Sequence, residues 1–274
     1  MIYIRNMLNL EGRLRLDGAT LAFHDSGGPG PAVVLLHGAG ADHRTFADQA
    51  TALAAHGSRV VLPDLRGHGA SRPTSTRLTA PLLVADVEAL VAALGLDRPV
   101  LVGHSLGGNL AQELVRRTPE RYAGLVVLGA TWNTGPLSRW ERQLLRLAAP
   151  GLSLVPARRL PRLMATASAT TEAARRDAER AFGQVSKAQF LQIWRATTAF
   201  VAPDPSYRTP VPLALVRGEE DRTGNIRTAM PAWARHENVS DVVVPQAGHL
   251  VSQDAPQAVT EELVRFLDLL GEAR

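Results

Sequence analysis

Pro99-Val100-Leu101-Val102-Gly103-His104-Ser105-Leu106-Gly107-Gly108-Asn109-Leu110 runs from β-branched and leucine residues directly into a helix-forming stretch, with a serine between two glycines at the junction. The segment therefore reads as strand, sharp turn, helix. A G-x-S-x-G turn forces its central serine into a strained backbone conformation and tolerates no bulk two positions to either side. Gly103 and Gly107 meet that demand. The turn lifts the Ser105 hydroxyl above the carboxyl edge of a sheet, and the following helix aims its first free N–H groups, that of Leu106 among them, at whatever the serine attacks. Ser105 is a candidate nucleophile. Short glycine-containing patterns also arise by chance, so the assignment depends on a base, an acid and a second oxyanion donor elsewhere in the chain.

The rest of the chain repeats the same rhythm. Arg13 to Leu16 and Thr20 to His24 flank Asp17-Gly18-Ala19 and predict a hairpin, after a loosely held extension over Met1 to Leu10. Ala32-Val33-Val34-Leu35-Leu36 and Arg59-Val60-Val61-Leu62-Pro63 are apolar runs of the kind buried on both faces of a sheet, with a helix expected over Arg44 to Ala55 between them. Thr79 caps a helix in which Leu83, Val87, Leu90 and Leu94 form one apolar stripe. The helix after Ser105 runs to about Arg117, and Gly124 to Gly129 is a further strand. From Thr131 to Thr209 strands give way to arginine-rich helical stretches, clearest over Leu137 to Leu147, Glu172 to Phe182 and Lys187 to Phe200. Strands resume at Val211 to Val216 and Asp241 to Val244, and a last helix covers Ala258 to Leu270. The expected architecture is an α/β core over residues 1–130 and 210–274, built on a mostly parallel doubly wound sheet, with a helical cap inserted over 131–209.

A serine hydroxyl needs a base within hydrogen-bond reach, and the base needs a carboxylate to fix its tautomer. His249 follows the last strand through Pro245-Gln246-Ala247-Gly248, so it falls at the same carboxyl edge as Ser105, where ligands bind in open α/β sheets. His24, His43, His56 and His236 read as surface or packing residues, and His104 is expected to point away from the nucleophile. Arg217-Gly218-Glu219-Glu220-Asp221 offers three carboxylates after the penultimate strand; Asp221, deepest in the loop, is the one chosen to orient His249. The alternative position after the Leu125 strand has no carboxylate between Gly129 and Glu141. For the oxyanion, the Leu106 N–H and the Ala39 N–H in the loop His37-Gly38-Ala39-Gly40 are the candidate donors, each of which is typically worth about 3 kcal/mol in the transition state.

Composition narrows the partners. Without cysteine the chain has no disulfide, thiol nucleophile or cysteine-ligated metal. A net charge of +4, with basic residues dispersed and not interleaved with aromatics, argues against nucleic acid. Arg5, Glu11, Arg13 and Arg15 interrupt any apolar core of a signal peptide, and no run is long enough to span a membrane. A cytoplasmic protein acting on a small molecule, with no metal, is the expectation; oligomeric state is not legible.

With serine, acid and histidine in that chain order, each behind a strand, the sequence resembles the α/β-hydrolase superfamily. The matching residues are His37-Gly38-Ala39, the loop Asp64-Leu65-Arg66-Gly67-His68-Gly69-Ala70-Ser71, Gly103-His104-Ser105-Leu106-Gly107-Gly108, Gly218-Glu219-Glu220-Asp221 and Gly248-His249. The resemblance implies an eight-stranded sheet, a lid after the sixth strand and no cofactor. Members with an aspartate nucleophile, such as haloalkane dehalogenases and epoxide hydrolases, are disfavoured by Ser105. Esterases and lactonases that work through an acyl-enzyme fit best. C–C bond hydrolases, cofactor-free haloperoxidases or perhydrolases, and receptor-like proteins that keep the triad are the alternatives. In the cap, Trp132, Trp140, Leu144, Leu147, Met164, Phe190, Trp194 and Phe200 are candidates to line an apolar pocket, with Trp132 and Trp194 chosen as substrate-binding. Arg158, Arg159, Arg162, Arg175, Arg176 and Arg180 read as a solvated helix face.

Overall fold

The computed structural model describes residues 9–272; the expected N-terminal extension lies outside them up to position 8. The strands are β1 (Gly12–Leu16), β2 (Ala19–Asp25), β3 (Ala32–Leu36), β4 (Arg59–Pro63), β5 (Val100–His104), β6 (Gly124–Leu128), β7 (Leu213–Gly218) and β8 (Asp241–Val244). They form one sheet of eight in the order β1-β2-β4-β3-β5-β6-β7-β8. Only the β1–β2 and β2–β4 pairings are antiparallel; from β4 to β8 every neighbour is parallel.

The parallel strands are apolar throughout because both faces are covered. Helices α1 (Ala47–Ala55) and α10 (Pro256–Glu272) pack against one face, where Val33 and Leu35 meet Leu53, Leu263 and Phe266. Helices α2 (Ala80–Ala93), α3 (Leu106–Arg117) and α8 (Ile226–Glu237) cover the other, where Val34 and Leu36 meet Leu83, Leu110 and Met230. Alternate residues of β3 thus feed opposite layers, as the two-residue period of a strand requires. A short helix, α9 (Val251–Asp254), precedes α10.

Four helices are inserted between β6 and β7: α4 (Arg139–Leu154), α5 (Leu160–Ser168), α6 (Glu172–Gly183) and α7 (Lys187–Ala199). They depart from the sequence expectation in detail. α4 starts two residues late because Ser138 and Glu141 form a reciprocal cap, and it continues through Pro150. α5 was not expected; Pro161 stands in its first turn, where a missing N–H costs nothing. The helix expected from Arg44 begins as a 3-10 turn over His43–Phe46, with the Asp42 carboxylate capping the Arg44 N–H. Among the described residues no helix is long and apolar enough to cross a membrane.

Candidate active site

The turn at Ser105 shows why glycine must stand on both sides of the serine. Ser105 has φ 51° and ψ −116°, a conformation that costs a non-glycine residue roughly 1–3 kcal/mol. The surroundings enforce it: the Ser105 N–H donates to the Leu128 carbonyl at 3.0 Å, and its carbonyl accepts from the Asn109 N–H at 2.9 Å. A Cβ on Gly103 would come within 2.3 Å of the Gly107 carbonyl oxygen, and one on Gly107 within 2.0 Å of the Leu36 carbonyl oxygen. Both contacts are with backbone, which cannot move aside. The strand and helix can approach this closely only without those side chains.

His249 and Asp221 meet at the ends of β8 and β7. The Nδ1 of His249 lies 2.9 Å from Oδ2 of Asp221, and both residues are buried. The other carboxylate oxygen accepts from the Thr223 N–H at 2.8 Å. Burial pushes the Asp221 carboxyl upward, but the charge and hydrogen bond of His249 together with the Thr223 contacts outweigh it and hold the group below the usual carboxylate range. An ionised carboxylate can only accept, so Nδ1 of His249 is the donor in this pair.

His104 lies beneath this pair, not beside the nucleophile's hydroxyl, as its expected orientation required. Its Nε2–H donates to the His249 carbonyl at 2.8 Å, and its ring sits 4.7 Å from the His249 ring. Burial, reinforced by repulsion from His249, pushes the imidazole down to about 3. A neutral His104 therefore supports the His249 loop without adding charge next to the His249 ring.

The loop after β3 is fixed by its neighbours. His37 Nδ1 donates to the Gly38 carbonyl at 2.8 Å while Nε2 accepts from the Leu65 N–H at 2.9 Å, tying the β3 and β4 loops together. Asp64 accepts from the His43 N–H at 2.8 Å, from His43 Nδ1 at 2.9 Å and from the Ala70 N–H at 2.6 Å. Burial raises the Asp64 carboxyl; the His43 hydrogen bond and charge reverse the shift and leave it lowered. Asp64 and His43 thus belong to the scaffold of this loop.

Ser105, His249 and Ala39 line one cavity of about 530 Å³ between the strand ends and the inserted helices. Leu106 opens α3 directly behind the serine. From the insertion come Met164, Phe182 and Trp194, so Trp194 stands where the sequence placed it. Trp132 does not. Its indole is buried and stacks on Trp233 of α8 with centroids 6.2 Å apart and planes 3° from parallel, and His236 packs on it at 4.9 Å. The loop after β6 turns toward α8, and the large apolar surface of Trp132 is spent there. Trp140 and Leu147 point to solvent, while Phe190 and Phe200 are buried in the core; the Leu144 side chain lies outside the described residues.

Sequence reasoning did not find the seam between insertion and core. Asp254 accepts from the Gly248 N–H at 2.9 Å, beside the base, and from the Thr170 and Thr171 N–H groups at 2.9 and 2.8 Å. Leu250 N–H donates to the Ser168 carbonyl at 2.8 Å. Arg180 reaches across to buried Asp42 with bonds of 2.7 and 3.0 Å. The bonds that cross from the insertion to the core have no local sequence signature, because each joins residues more than 80 positions apart. Among the described residues, no group of three or more His, Asp or Glu side chains is arranged to hold a metal ion.

A parallel sheet with a strained serine turn after β5, an acid after β7 and a histidine after β8 defines the doubly wound hydrolase class. Residues 33–262 match the model of the alpha/beta hydrolase family, and the chain belongs to that family. An uncharacterised protein of Mycobacterium tuberculosis is 26% identical over 268 residues, covering 88% of this chain and 76% of that protein. A 2-hydroxy-6-oxo-2,4-heptadienoate hydrolase of Pseudomonas putida is 38% identical over 124 residues, 43% of this chain and 44% of the relative. Among solved structures, a thermophilic esterase from Thermogutta terrifontis superposes with a TM-score of 0.76 at 26% identity, covering 94% of this chain and 99% of that one.

Proposed function

We propose that this hydrolase cleaves small or medium carboxylic esters or lactones through an acyl-enzyme, with Ser105, His249 and Asp221 as its triad and residues 131–209 as a cap over the site. The observation that carries the reading is the convergence of a strained Ser105 and an Asp221-oriented His249 on one cavity. Ser105 Oγ attacks the carbonyl carbon as its proton passes to Nε2 of His249; the N–H groups of Ala39 and Leu106 take the negative oxygen. Collapse expels the alcohol, which receives the proton from His249. Water, deprotonated by the same imidazole, then attacks the acyl-enzyme and releases the acid and Ser105. Asp221 stays ionised and stabilises the imidazolium.

The structure described as an esterase, which superposes along 94% of this chain, supports this reading. Steady-state hydrolysis of p-nitrophenyl acetate and butyrate tests it. The wild type should turn over repeatedly and Ser105→Ala should lose at least a thousandfold in kcat with its fold retained. Wild-type rates in Ser105→Ala refute the assignment. Turnover of a vinylogous diketone with none of either ester favours the C–C hydrolase.

A further inference from the structure

The cavity wall carries one charge that has no counter-charge among the described residues. The lysine, arginine and carboxylate side chains that line it are Arg175, Glu220 and Arg222. Arg222 donates to Glu220 at 2.9 Å, so these two neutralise each other. Arg175 has no carboxylate within ion-pair reach among the described residues. Its helix makes the contrast sharp, because the other arginines of α6 are both paired, Arg176 with Glu172 and Arg180 with Asp42 and Asp177. Arg175 is also held in place: its Nε donates to the Ala169 carbonyl at 2.8 Å, which leaves the two terminal nitrogens of the guanidinium without a partner among the described residues.

The hydroxyls of the cavity divide in the same way. Thr131, Thr170, Thr197 and Thr198 donate to Asn225 and to the carbonyls of Gln246, Ile193 and Arg195, so their protons are engaged. Thr166 and Ser168 also line the cavity, and their hydroxyls make no hydrogen bond among the described residues. Ser168 immediately precedes Ala169, the anchor of Arg175, and Thr166 stands three residues before it. Arg175, Thr166 and Ser168 thus all line the cavity with donors not engaged among the described residues, the kind of group that binds carboxylate oxygens. The arginine cluster that the sequence presents as a solvated face thus contains one member that lines the cavity.

We infer that the ester or lactone taken by this site carries a second group, a carboxylate remote from the scissile carbonyl, bound by Arg175 with Thr166 and Ser168. The inference rests on the ester-hydrolase reading for its reaction but not for its binding. Two isosteric pairs test it: ethyl hydrogen adipate against ethyl hexanoate, with the charge on the acid half, and 5-acetoxypentanoate against pentyl acetate, with the charge on the alcohol half. In at least one pair kcat/KM should favour the anion tenfold or more; that ratio should fall at least tenfold in Arg175→Ala, recover in part in Arg175→Lys, and shrink in 0.5 M NaCl as a screened charge contact does. Equal rates in both pairs, or a preference that survives Arg175→Ala or vanishes instead in Arg222→Ala, overturns it.

Calorimetric binding of the four esters to Ser105→Ala, with and without Arg175→Ala, gives a readout that needs no turnover. Tighter binding of an anionic ester that is lost with Arg175 supports the site even where acyl-enzyme chemistry fails. Equal binding of anion and neutral ester overturns it while leaving the hydrolase reading untouched. Circular dichroism confirms that the exposed Arg175 position tolerates substitution.

Discussion

The strand ends below the cavity and the helices above it are built by different rules. Below, Ser105, His249 and Asp221 stand on short loops whose backbone is fixed by hydrogen bonds, close glycine contacts and buried imidazoles. Above, the α6 side of the insertion is stitched to the core by Asp254 and Arg180, whereas α4 reaches it through the bond from Asn225 to Glu141 at 2.9 Å. α4 also presents apolar side chains to solvent at a seven-residue spacing, with Trp140 78%, Leu147 52% and Leu154 85% exposed. A reaction centre needs its groups fixed to within a fraction of an ångström, and only the sheet edge supplies that rigidity. The insertion instead supplies side chains such as Met164, Phe182 and Trp194 to the cavity wall.

The largest effect should come from the platform. Asp221→Asn keeps the shape but removes the charge that fixes the His249 tautomer, so kcat should fall by roughly 10⁴-fold with little change in melting temperature. A loss under tenfold would mean that Glu219 or Glu220 does this work.

Acid should also attack the platform first. Burial, with repulsion from His37, pushes His68 down to about 3, and burial with repulsion from His249 does the same to His104. Both take up a proton near pH 6.5 when unfolded but only near 3 when folded. The stability they contribute is complete above about pH 6.5 and declines as pH falls toward 3, by about 1 kcal/mol per pH unit for each. Denaturant titrations between pH 7 and 4 should show that slope, and His104→Gln should flatten it. A flat profile in the wild type contradicts the burial of neutral imidazoles beneath the site.

The seam comes next. Arg180 is one-third exposed but its partner Asp42 is only 4% exposed at the side chain. Arg180→Ala leaves that carboxylate without its strongest partner and should cost about 1–3 kcal/mol, with amide exchange accelerating in α6 before the sheet. The smallest effect belongs to the roof's outer face: Trp140→Ser should change stability by less than about 0.5 kcal/mol. A larger loss would show that α4 packs more tightly than its exposure indicates.

The same division governs what the residues disclose in sequence. The parallel sheet and the serine turn are legible because each depends on local patterning: buried strands are continuously apolar and the turn demands glycine at fixed offsets, while the Asp221–His249 pair is reachable because each member follows a strand directly. The insertion resists because its features arise from tertiary placement. Trp132 and Trp194 look alike in sequence, yet one stacks on Trp233 and the other lines the cavity. Arg175, Arg176 and Arg180 share one helix face pattern, and only their partners separate them. α5 has no such local signal, and its Pro161 stands in the first turn, where a missing N–H costs nothing.

The central claim is that the fold activates Ser105. Intact-protein mass after treatment with a fluorophosphonate, on the wild type and on Ser105→Ala, tests it without a guessed substrate. A single adduct on the wild type and none on the variant is the expected result. An unmodified wild type, or an adduct that persists in Ser105→Ala, contradicts the assignment of Ser105 as the nucleophile.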